Sequence, residues 1–217
     1  MASPASAPVR LMNDLARRVP NWVLYVLGPI PALWWLYLGL TGQLSVEPIK
    51  ELEHRLGEFA LQLLIACLCI TPLRDHLGVN LIKLRRAVGL VAFGYVLLHL
   101  MVWLFLDVQI LGQIWADILK RPYITIGMAG FVFLVPLAAT SNNWSVRKLG
   151  PAGWRRLHKL TYLAVTLGGV HFLMLVKGWQ LEPIFYLLAI VALLAMRLLP
   201  RRAARGAAGS AKGRGTA

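Results

Sequence analysis

A chain of 217 residues that is 58% hydrophobic, with a mean hydropathy of +0.64, has too little polar surface to be a water-soluble globular domain. Its formal charge of +14 does not mark a nucleic-acid binder, because the basic residues fall in short clusters between long apolar runs rather than along one face. Composition therefore points to an integral membrane protein.

The first twenty residues, MASPASAPVRLMNDLARRVP, are polar and read as a cytoplasmic arm. The apolar run that follows is longer than a signal-peptide core and has no small-residue cleavage site, so it reads as a retained anchor. A bilayer core takes about 20 apolar residues per helix, and six stretches qualify: 21–41, 56–73, 88–107, 123–140, 157–176 and 181–199. Short connections make these one all-α bundle of six transmembrane helices over 21–199. The tail, 200–217, is basic, low in complexity and expected to be disordered.

Pro29 and Pro31 in the first span and Pro136 in the fourth are expected to bend their helices, with neighbours satisfying the freed carbonyls. Cys67 and Cys69 are two apart on the second span, about 200° around the helix, and read as buried hydrophobes rather than a bridge.

Sorting the cations by connection gives 18 in the N-terminal arm, the second and fourth loops and the tail, against five (Lys50, Arg55, Lys120, Arg121 and Lys177) on the other side. The positive-inside rule then puts both termini in the cytoplasm. The outer connections also hold Glu47, Glu51, Glu53, Asp107, Asp117 and Glu182, an acidic rim facing any periplasmic acceptor.

Orientation fixes the depth of the histidines. His99 lies eleven residues into span three, about 16 Å deep, and His171 lies thirteen residues beyond His158, about 20 Å further in than that surface residue. His99 and His171 therefore come out at similar depth, on two helices that both start at the cytoplasmic face. An ionisable group in hydrocarbon is costly and calls for a partner. Two imidazoles without cysteine or carboxylate companions suit the two faces of a haem better than a four-ligand zinc site. Gly94, Gly168 and Gly169 offer room for a flat ring or for helix packing. His158 sits at the inner surface among Arg155, Arg156 and Lys159 and suits a second cofactor there. His54 and His76 read as solvated loop residues. On an ideal helix His158 and His171 are about 140° apart, so they serve different sites.

Three blocks carry a family resemblance: TGQLSVEPIKELEHRLGEFALQLL ending in TPLR (41–74), LRRAVGLVAFGYVLLHL (84–100), and TSNNWSVRKLGPAGWRRLHKLTYL (140–163) with His171 downstream. Together they resemble the ferric-reductase-like transmembrane family, and within it the haem-binding membrane subunits of bacterial periplasmic methionine sulfoxide reductases. The resemblance implies an inner-membrane electron carrier that takes electrons from the quinone pool and passes them through heme b to the molybdopterin catalytic subunit MsrP, which reduces methionine sulfoxide in oxidised envelope proteins. It also implies an association with flavin mononucleotide (FMN). Carried over by residue, His99 and His171 become the axial ligands of an outer haem, and His158 a ligand or neighbour of a cofactor nearer the cytoplasm. In the wider family spans three and five each carry two histidines about four turns apart. Here the position fourteen before His99 is Arg85, with Arg86 beside it. Arginine stays protonated and is a poor axial ligand, so this basic pair is expected to hold a propionate or a flavin phosphate, leaving an incomplete inner site.

Two other readings compete: a haem protein reducing ferric chelates or another periplasmic acceptor, and a small non-redox transporter in which His99, His171 and Glu58 line a polar path. Glu58 and Gln62, four apart on one face of span two, fit the latter. There is no GxGxxG and no soluble extension, which argues against a self-sufficient nicotinamide-driven reductase.

Overall fold

The computed structural model describes residues 7–176 and 180–197. The expectations for the 200–217 tail, for Lys177 and for the last residues of the sixth span lie outside the described residues. All regular structure among the described residues is helical.

The N-terminal arm contains a helix, α1 (Ala7–Arg18), that exposes Leu11, Met12 and Leu15 along one stripe. It is tied to the connection after the second apolar segment. The Asn13 amide donates to Gly78 O (3.0 Å), its oxygen accepts from Asn80 N (2.7 Å), and Lys83 Nζ donates to Arg17 O (2.6 Å) and Val19 O (2.8 Å).

The first apolar segment is divided at Gly28–Pro29 into α2 (Asn21–Leu27) and α3 (Ile30–Leu40). The break has a specific partner. The Tyr95 hydroxyl donates to Gly28 O (2.6 Å) and accepts from Ala32 N (3.2 Å), standing in for the helical bond those two groups would otherwise make. Gly28 is also where Val91 packs, since an added β-carbon would lie 2.8 Å from that side chain.

Helix α4 (Pro48–Pro72) continues through a π turn, Leu73–Leu77. It starts eight residues before the expected span, so Lys50, Glu51, Glu53, His54 and Arg55 lie on the helix rather than in a loop. Pro48 in the first turn and the Glu51–Arg55 ion pair (2.6 Å) stabilise this charged extension above the apolar run. Helix α5 (Arg85–Val102) begins at the arginine pair, after a short 3₁₀ turn, and ends in a π turn, Trp103–Val108.

Two surface helices occupy the connections between the expected spans: α6 (Leu111–Lys120) and α8 (Asn143–Leu157). In α8 the Asn142 side chain caps the start by accepting from Ser145 N (2.8 Å), and Gly150, at φ 69°, kinks the helix ahead of Pro151. The remaining apolar helices are α7 (Pro122–Ala139), α9 (Leu160–Leu175) and α10 (Leu181–Met196). Pro136 lies inside α7, which runs on past it.

Four of these segments are long and apolar enough to cross a bilayer, at 21–40, 48–77, 82–108 and 122–139; α9 and α10 are shorter apolar helices. Helix α4 is central and packs against α3, α5, α9 and α10, while α7 pairs with α9. The core joins Leu61, Leu64 and Leu68 of α4 to Ala92, Leu134, Val165 and Ile190. Lipid is as apolar as these side chains, so close packing rather than water exclusion is what they contribute in a membrane. Gly169 illustrates it: a β-carbon there would meet Ile190 at 2.7 Å, so α9 and α10 approach closely at that point.

One end of the bundle gathers α1, the 73–84 connection, the start of α8 and the end of α10. Arg86 Nη1 donates to Asn143 Oδ1 (2.7 Å), and Arg197 reaches Leu68 O (2.9 Å) and the Tyr162 hydroxyl (2.7 Å). The clustered cations of the sequence therefore meet at this end.

Candidate functional site

His99 of α5 and His171 of α9 come together, with ring centroids 6.2 Å apart and planes inclined at 76°. Each ring is held from behind by a backbone carbonyl of the neighbouring helix. His99 Nδ1 lies 2.9 Å from Glu53 O on α4, and His171 Nδ1 lies 2.7 Å from Tyr123 O on α7. A carbonyl can only accept, so both Nδ1 atoms carry the proton and both Nε2 atoms keep their lone pairs. Among the described residues neither Nε2 has a hydrogen-bond partner.

The two anchors are built alike. Gly57 stands four residues after Glu53, and Gly127 four residues after Tyr123. A β-carbon at Gly57 would lie 2.9 Å from His99 Nδ1, and one at Gly127 would lie 2.7 Å from His171 Nδ1. Each imidazole therefore lies against a helical turn that only glycine leaves bare.

Both rings border a cavity of about 260 Å³ enclosed by α4, α5, α7 and α9. Its walls are mainly apolar, including Leu61, Leu64, Val96, Phe131 and Leu134, and its rim carries Lys50, Glu53, His54, Asp107 and Arg121. Two metal–imidazole bonds of about 2 Å, with about 1 Å from each nitrogen to its ring centre, place bis-imidazole centroids about 6 Å apart. The observed 6.2 Å separation, the carbonyl-held tautomers and the apolar walls fit a haem between the rings. Among the described residues no three His, Cys, Asp or Glu side chains cluster to hold a bare metal ion.

The other expected residues are distributed differently. His158 stacks on Trp154 (3.8 Å between centroids), and its Nε2 lies 3.2 Å from Thr140 Oγ1. Thr140 in turn donates to Pro136 O (2.6 Å), so His158 Nε2 donates to the hydroxyl and is engaged in the α7–α8 packing. It does not line the cavity, and neither do Arg85 and Arg86, which open α5 at the basic end. Gly168 lines the cavity, Gly169 serves the α9–α10 contact, and Gly94 faces open space. His54 is exposed, but it lies on α4 at the cavity rim rather than in a loop.

One of the acids expected at the outer rim is not there: Asp117, on α6, is buried where α6 packs on α7, 3.3 Å from the half-exposed Arg121. That helix instead exposes the apolar stripe Leu111, Trp115 and Leu119.

Sequence comparison bears on the same helices. Residues 55–169 match the family model described as the ferric reductase like transmembrane component. The chain is 54% identical over 179 residues to the protein-methionine-sulfoxide reductase heme-binding subunit MsrQ of Agrobacterium fabrum, covering 82% of this chain and 83% of that one. The chain belongs to the MsrQ family. The Brucella ovis member is 52% identical over 178 residues, covering 82% of this chain and 80% of its own length, and the Brucella abortus member matches to the same extent. No solved structure matches the chain. The MsrQ-family region shared with the ferric-reductase-like proteins runs from Arg55 to Gly169 and so takes in α5, α7, both ring-backing glycines and His99, ending two residues before His171.

Proposed function

We propose that the chain is an inner-membrane b-type haem carrier that takes electrons from the quinone pool and delivers them to a periplasmic molybdopterin methionine sulfoxide reductase, MsrP, for repair of oxidised envelope proteins. The observation that carries this reading is the His99–His171 pair, 6.2 Å apart, with each Nδ1 held by a carbonyl. The relatives at 52% and 54% identity, heme-binding subunits of protein-methionine-sulfoxide reductases, support the haem and the methionine sulfoxide reductase system.

In this proposal all six apolar segments cross the bilayer, with α9 and α10, each about 24 Å long, reaching across with their flanking turns. The basic end of the bundle faces the cytoplasm and holds both termini. The cavity rim then faces the periplasm. A haem bound between the rings supplies a one-electron iron couple, and the protein supplies ligands, spacing and a dry setting. His99 and His171 present Nε2, and the Nδ1–H bonds to Glu53 O and Tyr123 O raise their basicity and fix their orientation. Lys50 and Arg121 at the rim offer charge to propionates. At the opposite end His158, Arg85 and Arg86 belong to a second, incomplete site, where the arginines suit a propionate or the phosphate of FMN.

The test is the dithionite-reduced minus oxidised absorption spectrum of the detergent-purified protein, wild type beside His171→Ala. A b-type signal in the wild type that is lost in the variant is expected. A folded, colourless wild type from haem-replete cells overturns the relay.

A further inference from the structure

The geometry points to a quinol headgroup site on the membrane-facing side of α4, in the cleft between α3 and α10, with Glu58 as the proton acceptor. This rests on the electron-carrier reading above and gives its donor a location.

Glu51, Arg55, Glu58 and Gln62 follow one another at four- and three-residue spacing and so form one stripe along α4. A second cavity, of about 310 Å³, lies over this stripe and is also lined by Trp35 of α3 and Phe59 of α4. The two rings meet edge to face, 5.6 Å apart at 83°. Tyr186 of α10 reaches the stripe from the other side, with its hydroxyl 2.9 Å from Glu58 Oε1 and 2.7 Å from Gln62 Nε2, while Gln62 Nε2 also donates to Glu58 Oε1 (2.8 Å). Helices α3 and α10 each pack on α4 with no extensive contact between them, which leaves the cleft open on the lipid side.

Glu58, Gln62 and Tyr186 form a half-buried, mutually hydrogen-bonded cluster at the edge of this cavity, and ionisable groups within an apolar helix bundle are a default functional site. A quinol matches every feature. Its ring is flat and suits the Trp35–Phe59 wall, its two oxygens need donors and an acceptor, and its tail stays in lipid. Glu58 borders both this cavity and the cavity between His99 and His171.

One quinol loses two O–H hydrogens and becomes a quinone with two C=O bonds. With haem held by His99 and His171, the quinol's two electrons would be taken up by ferric iron in two one-electron steps. Its two protons pass in turn to the Glu58 carboxylate and on to water at the rim.

The experiment uses the full-length haem-loaded protein in detergent and a photoreactive azido-ubiquinone of short tail. Labelled peptides are mapped, and binding of decylubiquinone is measured by tryptophan fluorescence quenching. Labelling is expected on α3, α4 or α10 around Trp35, Phe59 and Gln62. Gln62→Leu and Tyr186→Phe are each expected to weaken decylubiquinone binding about tenfold, the effect of losing a hydrogen bond of about 1.4 kcal/mol, with the reduced haem spectrum unchanged. Labelling confined to the basic end, or unaltered binding in both variants with an intact haem spectrum, overturns the site while leaving the carrier standing. A wild type without haem overturns the carrier itself. If one variant fails size-exclusion chromatography, the other and Trp35→Leu decide the question.

Discussion

Gly127 leaves no room for a side chain against His171: a β-carbon there would lie 2.7 Å from the ring Nδ1, the same atom that lies 2.7 Å from the Tyr123 carbonyl one helical turn earlier. Gly57 repeats the relationship with His99 and the Glu53 carbonyl. The site is thus made of two carbonyl-and-glycine platforms on α4 and α7, each receiving an imidazole from the helix packed against it.

Gly127→Ala and Gly57→Ala are each expected to push the facing ring off its carbonyl, with an overpacking cost of about 1–3 kcal/mol. Haem content per folded protein should fall several-fold, while Gly94→Ala, where an added β-carbon meets nothing within 4 Å, keeps wild-type content. Pyridine-haemochrome assay on the monodisperse fraction measures this.

His99→Ala and His171→Ala are each expected to abolish the low-spin outer-haem signal. His158→Ala is expected to leave that signal in place, because its Nε2 is bonded to Thr140 at the other end of α9. Electron paramagnetic resonance of the oxidised proteins separates the two sites. Loss of the same signal in all three variants would count against separate sites.

Tyr95→Phe removes the hydroxyl that serves both Gly28 O and Ala32 N in the break between α2 and α3. Two buried backbone groups lose their partner, so the variant should be destabilised by about 1–3 kcal/mol. Thermal unfolding in detergent should show a lower midpoint with haem content retained in the folded fraction.

The rim above the cavity carries Lys50, Glu53, Asp107 and Arg121. If a periplasmic acceptor docks there through charge, raising salt from about 0.05 to 0.5 M should slow electron delivery several-fold by screening, with the reduced spectrum unchanged. Stopped-flow haem oxidation by the acceptor reads the rate, and a flat salt profile would retire electrostatic docking.

Much of this protein was legible in one dimension. Apolar runs marked the membrane helices, because hydrocarbon demands length and composition that any reader of the chain can count. Hydropathy starts the second span at residue 56, whereas α4 starts at Pro48, because an i,i+4 ion pair, Glu51–Arg55, carries the helix beyond its apolar part. Local charge puts Asp117 on an acidic rim because it does not reveal that α6 packs against α7 and buries that residue. Similarly, α1, α6 and α8 lie outside the long apolar runs and become helices through surface packing, α8 with an Asn142 cap.

The sequence by itself determined that His99 and His171 lie on two separate apolar helices, since hydropathy and rise per residue suffice to find them. Only the tertiary structure decided that their rings face each other, because direction around a helix axis depends on which neighbour it packs against. The anchoring groups, Glu53 O and Tyr123 O, are backbone atoms that every residue possesses, and Gly57 and Gly127 acquire their meaning only once a ring from another helix lies 3 Å away. The same holds for Glu58 and Gln62, which become a cluster only when Tyr186, more than 120 residues away in sequence, closes over them.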